Sequence, residues 1–197
     1  GDIYIADTYN YRVRVLDHLS DTIRTVAGNG LAEDDGPVGD GGPAVAAQLY
    51  TPSDIAVAPN GDLYIADMHH NRVRKVDART LIISTVAGTG VFSREGDDGP
   101  AVMAGLAGPA GIALALEPGG KLSLYIADYY NGVIRVVDPN GVIRSVTDEG
   151  RTAFGAPPRV AFEPRAGWLY VNDASKDQVV AINLPRSSRS PFGLLPR

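Results

Sequence analysis

Carboxylates are the residues best placed for chemistry in this sequence. One set repeats: Asp7, Asp67, Asp128 and Asp173 each close the same short phrase. A ring of carboxylates could in principle serve catalysis. Repetition argues otherwise, because catalysis needs groups in different roles at one place. The plainer reading has each Asp folding over its own turn, or pairing with an arginine five residues on, Arg12 or Arg72. A second set clusters as Glu33, Asp34, Asp35 and Asp40, and again as Glu95, Asp97 and Asp98. Oxygen-rich loops can hold calcium, which makes Asp35, Asp40, Asp97 and Asp98 the candidate ligands and calcium the candidate cofactor. The spacing does not follow the D-x-[DN]-x-[DN]-G pattern, and turn or cap duty also explains these residues. His69 and His70 are adjacent, and alternation points neighbouring side chains apart, so a shared metal is not expected. Tyr9, Tyr11, Tyr129, Tyr130 and Asn131, with His69 and His70, are the candidate binding residues, since exposed aromatics beside polar groups suit macromolecular contacts. The alternative is that they pack against helices in the connectors between the repeats.

Several chemistries are excluded. Cysteine is absent, so thiolate zinc sites, disulfides and thiol nucleophiles do not arise. No Gly-x-Ser-x-Gly elbow and no phosphate-cradling loop with lysine appears. A net charge of −5 speaks against a nucleic-acid partner. No apolar run reaches the roughly 18 residues of a membrane helix. The chain has 197 residues, 44% of them hydrophobic, which suffices for a sizeable core. It opens without methionine, which suggests a removed leader or a piece of a longer protein.

These residues are positioned by a repeat. "DIYIAD" at Asp2 recurs as "DLYIAD", "SLYIAD" and "WLYVND", with Tyr4, Tyr64, Tyr125 and Tyr170 spaced 60, 61 and 45 residues apart. "RVRVLD", "RVRKVD", "VIRVVD" and "QVVAIN" follow in turn, and "PSDIAVAPNG", "PAGIALALEPGG" and "PRVAFEPRAG" precede three of the copies. Each phrase is β-branched or aromatic and bounded by Gly, Pro, Asn or Asp, which is a strand signal. Asn60-Gly61 and Asn140-Gly141 mark tight hairpin turns. The unit is four antiparallel strands, a to d. Such units at this period are the signature of a β-propeller, here just under four blades' worth in an all-β chain. Blade boundaries fall near 1–30, 50–90, 108–148 and 157–185. Strand c places Val73 and Val76 toward the interior and Arg72, Arg74 and Lys75 toward solvent.

"PSDIAVAPNGDLYIADMHHNRVRKVD" resembles an NHL repeat, and "TVAGNG…GDGGPA…L" resembles the connector common in bacterial NHL proteins. The resemblance runs from Gly1 to about Leu184. It implies a propeller, usually of six blades, used mostly as a binding platform, and by family habit located outside the cytoplasm. Some NHL-type lyases acting on amidated peptides bind zinc through histidines near the starts of the inner strands. The matching positions here, Ser53-Asp54, Ala110-Gly111 and Pro158-Arg159, hold no histidine.

Three arrangements fit so short a chain. It is part of a longer propeller, half of an assembly that another copy completes, or a four-bladed ring whose "SPFGLLPR" tail joins the first blade as strand a. The d-to-a connectors, residues 29–49 and 89–106, share a face with the b-to-c turns. That decorated face is the expected partner surface. Within the connector, Pro43 should open one or two helical turns capped by Asp40, with Leu49 and Leu106 as anchors. The third connector lacks this helix, which should leave a notch near residues 151–157. Trp168 is expected in the core. The expected role is a noncatalytic scaffold presenting this face to a protein, peptide or glycan. The rivals are a hydrolase or lyase with a polar or metal site at the central channel, and a structural assembly subunit.

Overall fold

Alternating β-branched and small residues in runs of four to eight give fourteen of the fifteen strands among the described residues, because successive side chains on an extended backbone point to opposite faces; the other, in a connector, is a two-residue Gly-Pro pair. The computed structural model describes residues 1–32, 38–117, 119–146, 154, 157–165 and 167–184. In chain order the strands are β1 (Ile3–Asp7), β2 (Arg12–Asp17), β3 (Thr22–Ala27), β4 (Pro52–Val57), β5 (Leu63–Asp67), β6 (Arg72–Val76), β7 (Ile83–Ala87), β8 (Gly99–Pro100), β9 (Pro109–Leu116), β10 (Leu122–Asp128), β11 (Val133–Val137), β12 (Val142–Val146), β13 (Val160–Glu163), β14 (Trp168–Asp173) and β15 (Gln178–Asn183). They form four antiparallel sheets, ordered β1-β2-β3, β4-β5-β6-β7, β8-β12-β11-β10-β9 and β13-β14-β15. These are the blades. The first holds strands b to d, the fourth strands a to c. Gly61 and Gly141 take φ of +90° and +82° in the hairpins expected of them.

The cores lie between blades rather than within them. Leu63, Ile65, Val76 and Ile83 of blade 2 face Val13 and Ala27 of blade 1. Leu124, Ile126, Val137 and Ile143 of blade 3 repeat the arrangement against Ala66, Val73 and Ala87 of blade 2. Leu169, Val171 and Ile182 of blade 4 pack on Tyr125, Ala127 and Ile134 of blade 3. Each blade therefore presents an incoming face to its predecessor and an outgoing face to its successor. Trp168 is half-buried rather than in the core, because alternation puts Leu169 and Val171 on the incoming face and Trp168 on the other.

The connectors keep one of the expected helical turns, directly after the proline, but not the expected Asp40 cap. Each holds a single 3-10 turn, Ala44–Ala46 or Ala101–Met103, with no side-chain cap. Their glycine turns instead bond to the outer strand of the next blade. Gly41 N–H donates to Ile83 O (2.8 Å), Ile83 N–H donates to Gly42 O (3.0 Å), and Pro43 bridges Ile82. In blade 3 the same path is regular enough to form β8 on the edge of β12. The connector thus covers a strand edge that would otherwise stand ready to pair with other chains. The proposed notch and the "SPFGLLPR" tail fall almost wholly outside the described residues.

Candidate functional site: the connector face

The motif "TVAG-x-G" builds the elbow where a blade passes into its connector. Gly28 and Gly88 take φ of +91° and +93°, and both sit against the b-to-c turn of their own blade. The second glycine of each motif leaves room for a guanidinium. Arg12 lies over Gly30 and donates to Asn29 O (3.0 Å), while Arg72 lies over Gly90 and donates to Thr89 O. These arginines hold the elbow. They do not pair with the strand-end aspartates.

Asp7, Asp67 and Asp128 pair instead with the arginine seven residues on, while Asp173, with Val180 at that place, meets Lys176 at 3.4 Å. Arg74, expected at the surface, is wholly buried, and so is its counterpart Arg135. Arg74 reaches Asp67 Oδ2 (3.2 Å) at the end of strand b and Asp40 Oδ1 (2.7 Å) in the connector, and it also donates to the carbonyls of Val38 and Gln48. Arg135 does the same with Asp128 Oδ2 (3.5 Å) and Asp97 Oδ1 (2.7 Å). The second connector oxygen accepts a hydroxyl from strand d: Asp40 from Thr85 (2.6 Å), Asp97 from Ser145 (2.7 Å). A buried guanidinium tolerates removal from water only when its donors are met, and the connector supplies them. Asp40 is therefore a counter-ion rather than a helix cap. Asp97 has the same duty, and Asp98 pairs with Arg144 (2.6 Å). These carboxylates, the calcium candidates, thus have arginine partners; Asp35 lies outside the described residues. The free strand-b oxygens fasten the connector's far end, Asp67 accepting from Tyr50 N–H and Asp128 from Ala107 N–H (both 2.7 Å). Burial pushes the Asp128 carboxyl above the usual range.

The aromatic residues divide. His70 is buried, with Nδ1 2.9 Å from Asp67 Oδ2, so it belongs to the network and not to the surface. The turn geometry that suggested exposure leaves out the connector lying over it. Asn131, half-buried, holds the equivalent place, bonding Asp128 Oδ2 (2.7 Å) and Ser93 O (2.9 Å). The remaining five are at or near the surface. Tyr11 meets Tyr50 with ring centroids 5.8 Å apart, and Tyr50 meets His69 at 5.0 Å. Tyr130 meets Phe92 of the connector at 5.6 Å and Tyr129 edge-on at 4.9 Å. Met68, next to His69, approaches Gly108, on which Tyr130 lies. Tyr11, Tyr50, His69, Met68, Tyr130 and Phe92 therefore follow one another across two blade junctions. Phe92 and Tyr130 are 61% and 56% exposed, and Tyr9 stands further out still. Tyr50 and Phe92 carried no repeat signal, and only the path of the connector brings them here.

Thr51 sits under this strip with φ +53°, a conformation that strains a β-branched residue. The next connector uses Gly108, φ +59°, at that place. Thr51 Oγ1 contacts His69 Nδ1 and lies 2.7 Å from Tyr50 O.

At the axis the inner strands are tied by polar side chains. Asp54 Oδ2 accepts from Ile112 N–H (2.9 Å), and Arg159 donates to Ala110 O (2.8 Å) and Ser53 O (3.2 Å), so one guanidinium joins three blades. Gly111 permits the approach, since a Cβ there would lie 2.8 Å from Arg159 Cα. Asp54 and Arg159 border an open hollow of about 380 Å³. Burial pushes the Asp54 carboxyl above the usual range, while two backbone amides and the charge of Arg159 pull it down. An NMR titration is expected to place it above about 3.9, and Arg159→Gln should move it higher. A raised folded value means that protonated Asp54 favours the fold. That contribution is complete below the unfolded value and is lost as pH rises through the folded one. A midpoint at or below 3.9 would show that the amides and guanidinium outweigh burial. Among the described residues no cluster of three or more His, Asp or Glu is arranged to hold a metal, and no helix is long and apolar enough to cross a membrane.

The Teneurin NHL domain model matches residues 1–95. NHL repeat-containing protein 2 of Homo sapiens is 28% identical over 91 residues, 43% of this chain and 11% of that protein. The chain belongs to the NHL-repeat family. Protein SUPPRESSOR OF QUENCHING 1, chloroplastic, of Arabidopsis thaliana is 32% identical over 142 residues, 71% of this NHL chain but 13% of the plant protein. Solved propellers carry the same fold at low identity. An auxiliary nutrient binding protein from Bacteroides thetaiotaomicron superposes with a TM-score of 0.66 at 15% identity, over 93% of this chain and 45% of that one. Virginiamycin B lyase from Staphylococcus aureus gives 0.55 at 12%, over 94% and 53%. This NHL chain thus spans about half of those structures and a small part of its curated relatives.

Proposed function

We propose that this NHL chain acts as a noncatalytic binding platform, presenting its connector face to a protein, peptide or glycan. The observation that carries the reading is the aromatic strip from Tyr11 to Phe92. Large rigid rings with polar tips give contact area at low entropic cost, and the buried Asp-Arg-Asp posts beneath hold them in place. Thr51 adds support: strained backbone is retained where a site needs it. Catalysis at the axis would rest on Asp54 and Arg159. Both are engaged with backbone groups that tie the inner strands, so they serve the scaffold first.

The test is a screen of the protein against a glycan array and a displayed peptide library, repeated with Phe92→Ser/Tyr130→Ser. Both side chains are exposed, so the variant should fold. The best ligands are expected to lose at least roughly tenfold in affinity. Ligands indifferent to this change but sensitive to Arg159→Gln would move the site to the axis.

A further inference from the structure

The incoming face of blade 1 repeats, residue for residue, the surface that seats a connector on blades 2 and 3. In blade 2 that surface is the cross-strand row Leu63, Val76, Ile83 and the row Ile65, Arg74, Thr85. In blade 3 it is Leu124, Val137, Ile143 and Ile126, Arg135, Ser145. Register assigns blade 1 the rows Ile3, Leu16, Ile23 and Ile5, Arg14, Thr25. Chemistry is kept at each place, down to the hydroxyl that binds the second carboxylate oxygen. Only the cover differs. Ile3 is 58% exposed where Leu63 and Leu124 are buried, and Ile23 is 48% exposed where Ile83 and Ile143 are wholly buried. Arg14 is 34% exposed and meets Asp7 at 3.7 Å, with no connector carboxylate beside it among the described residues.

We infer that this face of blade 1 is a docking site for a Gly-Asp-Gly-Gly-Pro-type connector segment of another NHL blade, which adds to the outer edge of β3 and places its carboxylate between Arg14 and Thr25. The segment adds by β-augmentation, as at Ile83, whose N–H and C=O both turn outward to glycines of the connector. Ile23 holds the same register position. Charge selects the occupant. The two connectors of this chain that carry the Gly-Asp step, Gly39-Asp40 and Gly96-Asp97, already sit on blades 2 and 3. Residues 185–197 carry Arg186, Arg189 and Arg197 and no acidic side chain, the wrong sign for Arg14. A second copy has the same two occupied connectors and the same basic tail, so it is the weaker occupant.

The probe is a synthetic peptide with the sequence of residues 38–49, VGDGGPAVAAQL, and its counterpart carrying Asn in place of Asp. Each is titrated into the protein, with backbone amides followed by NMR. Saturable binding of the acidic peptide below roughly 1 mM is expected, with shifts at Ile3, Arg14, Ile23 and Thr25. The Asn peptide should bind roughly tenfold or more weakly, as loss of a charge-assisted bond implies. Arg14→Gln should weaken the acidic peptide similarly and erase the difference between the two. Because the peptide pair leaves the protein unchanged, that arm does not depend on any variant folding. No binding up to several times that concentration, shifts confined to other faces, or an Asp preference that survives Arg14→Gln would overturn the inference. Self-association that Arg14→Gln abolishes and the peptide cannot compete would assign the face to a second copy instead, and overturn it too.

Discussion

Arg74→Ala should lower the unfolding free energy by about 3–5 kcal/mol, the usual cost of removing one partner from a buried ionic network. The guanidinium is fully enclosed and serves two carboxylates and two carbonyls. Its loss removes the guanidinium partner of Asp67 in a place closed to water and unpins the connector at Val38 and Asp40. Urea unfolding followed by circular dichroism measures the change. The repeat supplies its own control: Arg14 occupies the same place in blade 1, partly exposed and 3.7 Å from Asp7. Arg14→Ala should cost less than about 1 kcal/mol, as exposed pairs do. Equal costs at the two positions would mean that burial and the connector acid do not set the strength of the post.

Gly88→Ala is the second large effect, expected at about 2–5 kcal/mol. Two penalties add. The backbone sits at φ +93°, which L-residues take only with strain. A Cβ would also fall against the Asn71 carbonyl oxygen and 3.0 Å from Arg72 Cα, backbone atoms that a rotamer change cannot move. Gly141→Ala separates the two terms. Its φ is +82° and its surroundings are open, so only the conformational cost of about 1 kcal/mol applies. Thermal or urea unfolding of both variants should rank them in that order. If Gly141→Ala proves as costly, close approach to the b-to-c turn is not why the motif carries glycine.

Both predictions concern residues that the repeat made conspicuous and whose roles it left open. Gly88 recurs in "TVAG", and the need for an unusual backbone could be suspected from its type. The carbonyl that crowds it belongs to a turn seventeen residues earlier, and only the fold brings the two together. Arg74 shows a harder case. Strand alternation correctly put it on the face opposite Val73, yet that face is not solvent, because a connector that leaves the preceding blade returns across it. Asp40 lies 34 positions away, so no local pattern links the pair. His70 was misplaced for the same reason, and Tyr50 and Phe92 were passed over because neither repeats.

Local sequence determined the repeated strands, their order in each blade and the hairpin turns, but not β8 in the connector. Those follow from covalent geometry and side-chain period, which act over a few residues and recur in every copy. The tertiary structure alone decided which polar groups are buried, where the connectors run and which rings share a surface. Those depend on what covers a sheet face, and in a propeller the cover comes from the adjoining unit, through contacts that span tens of residues.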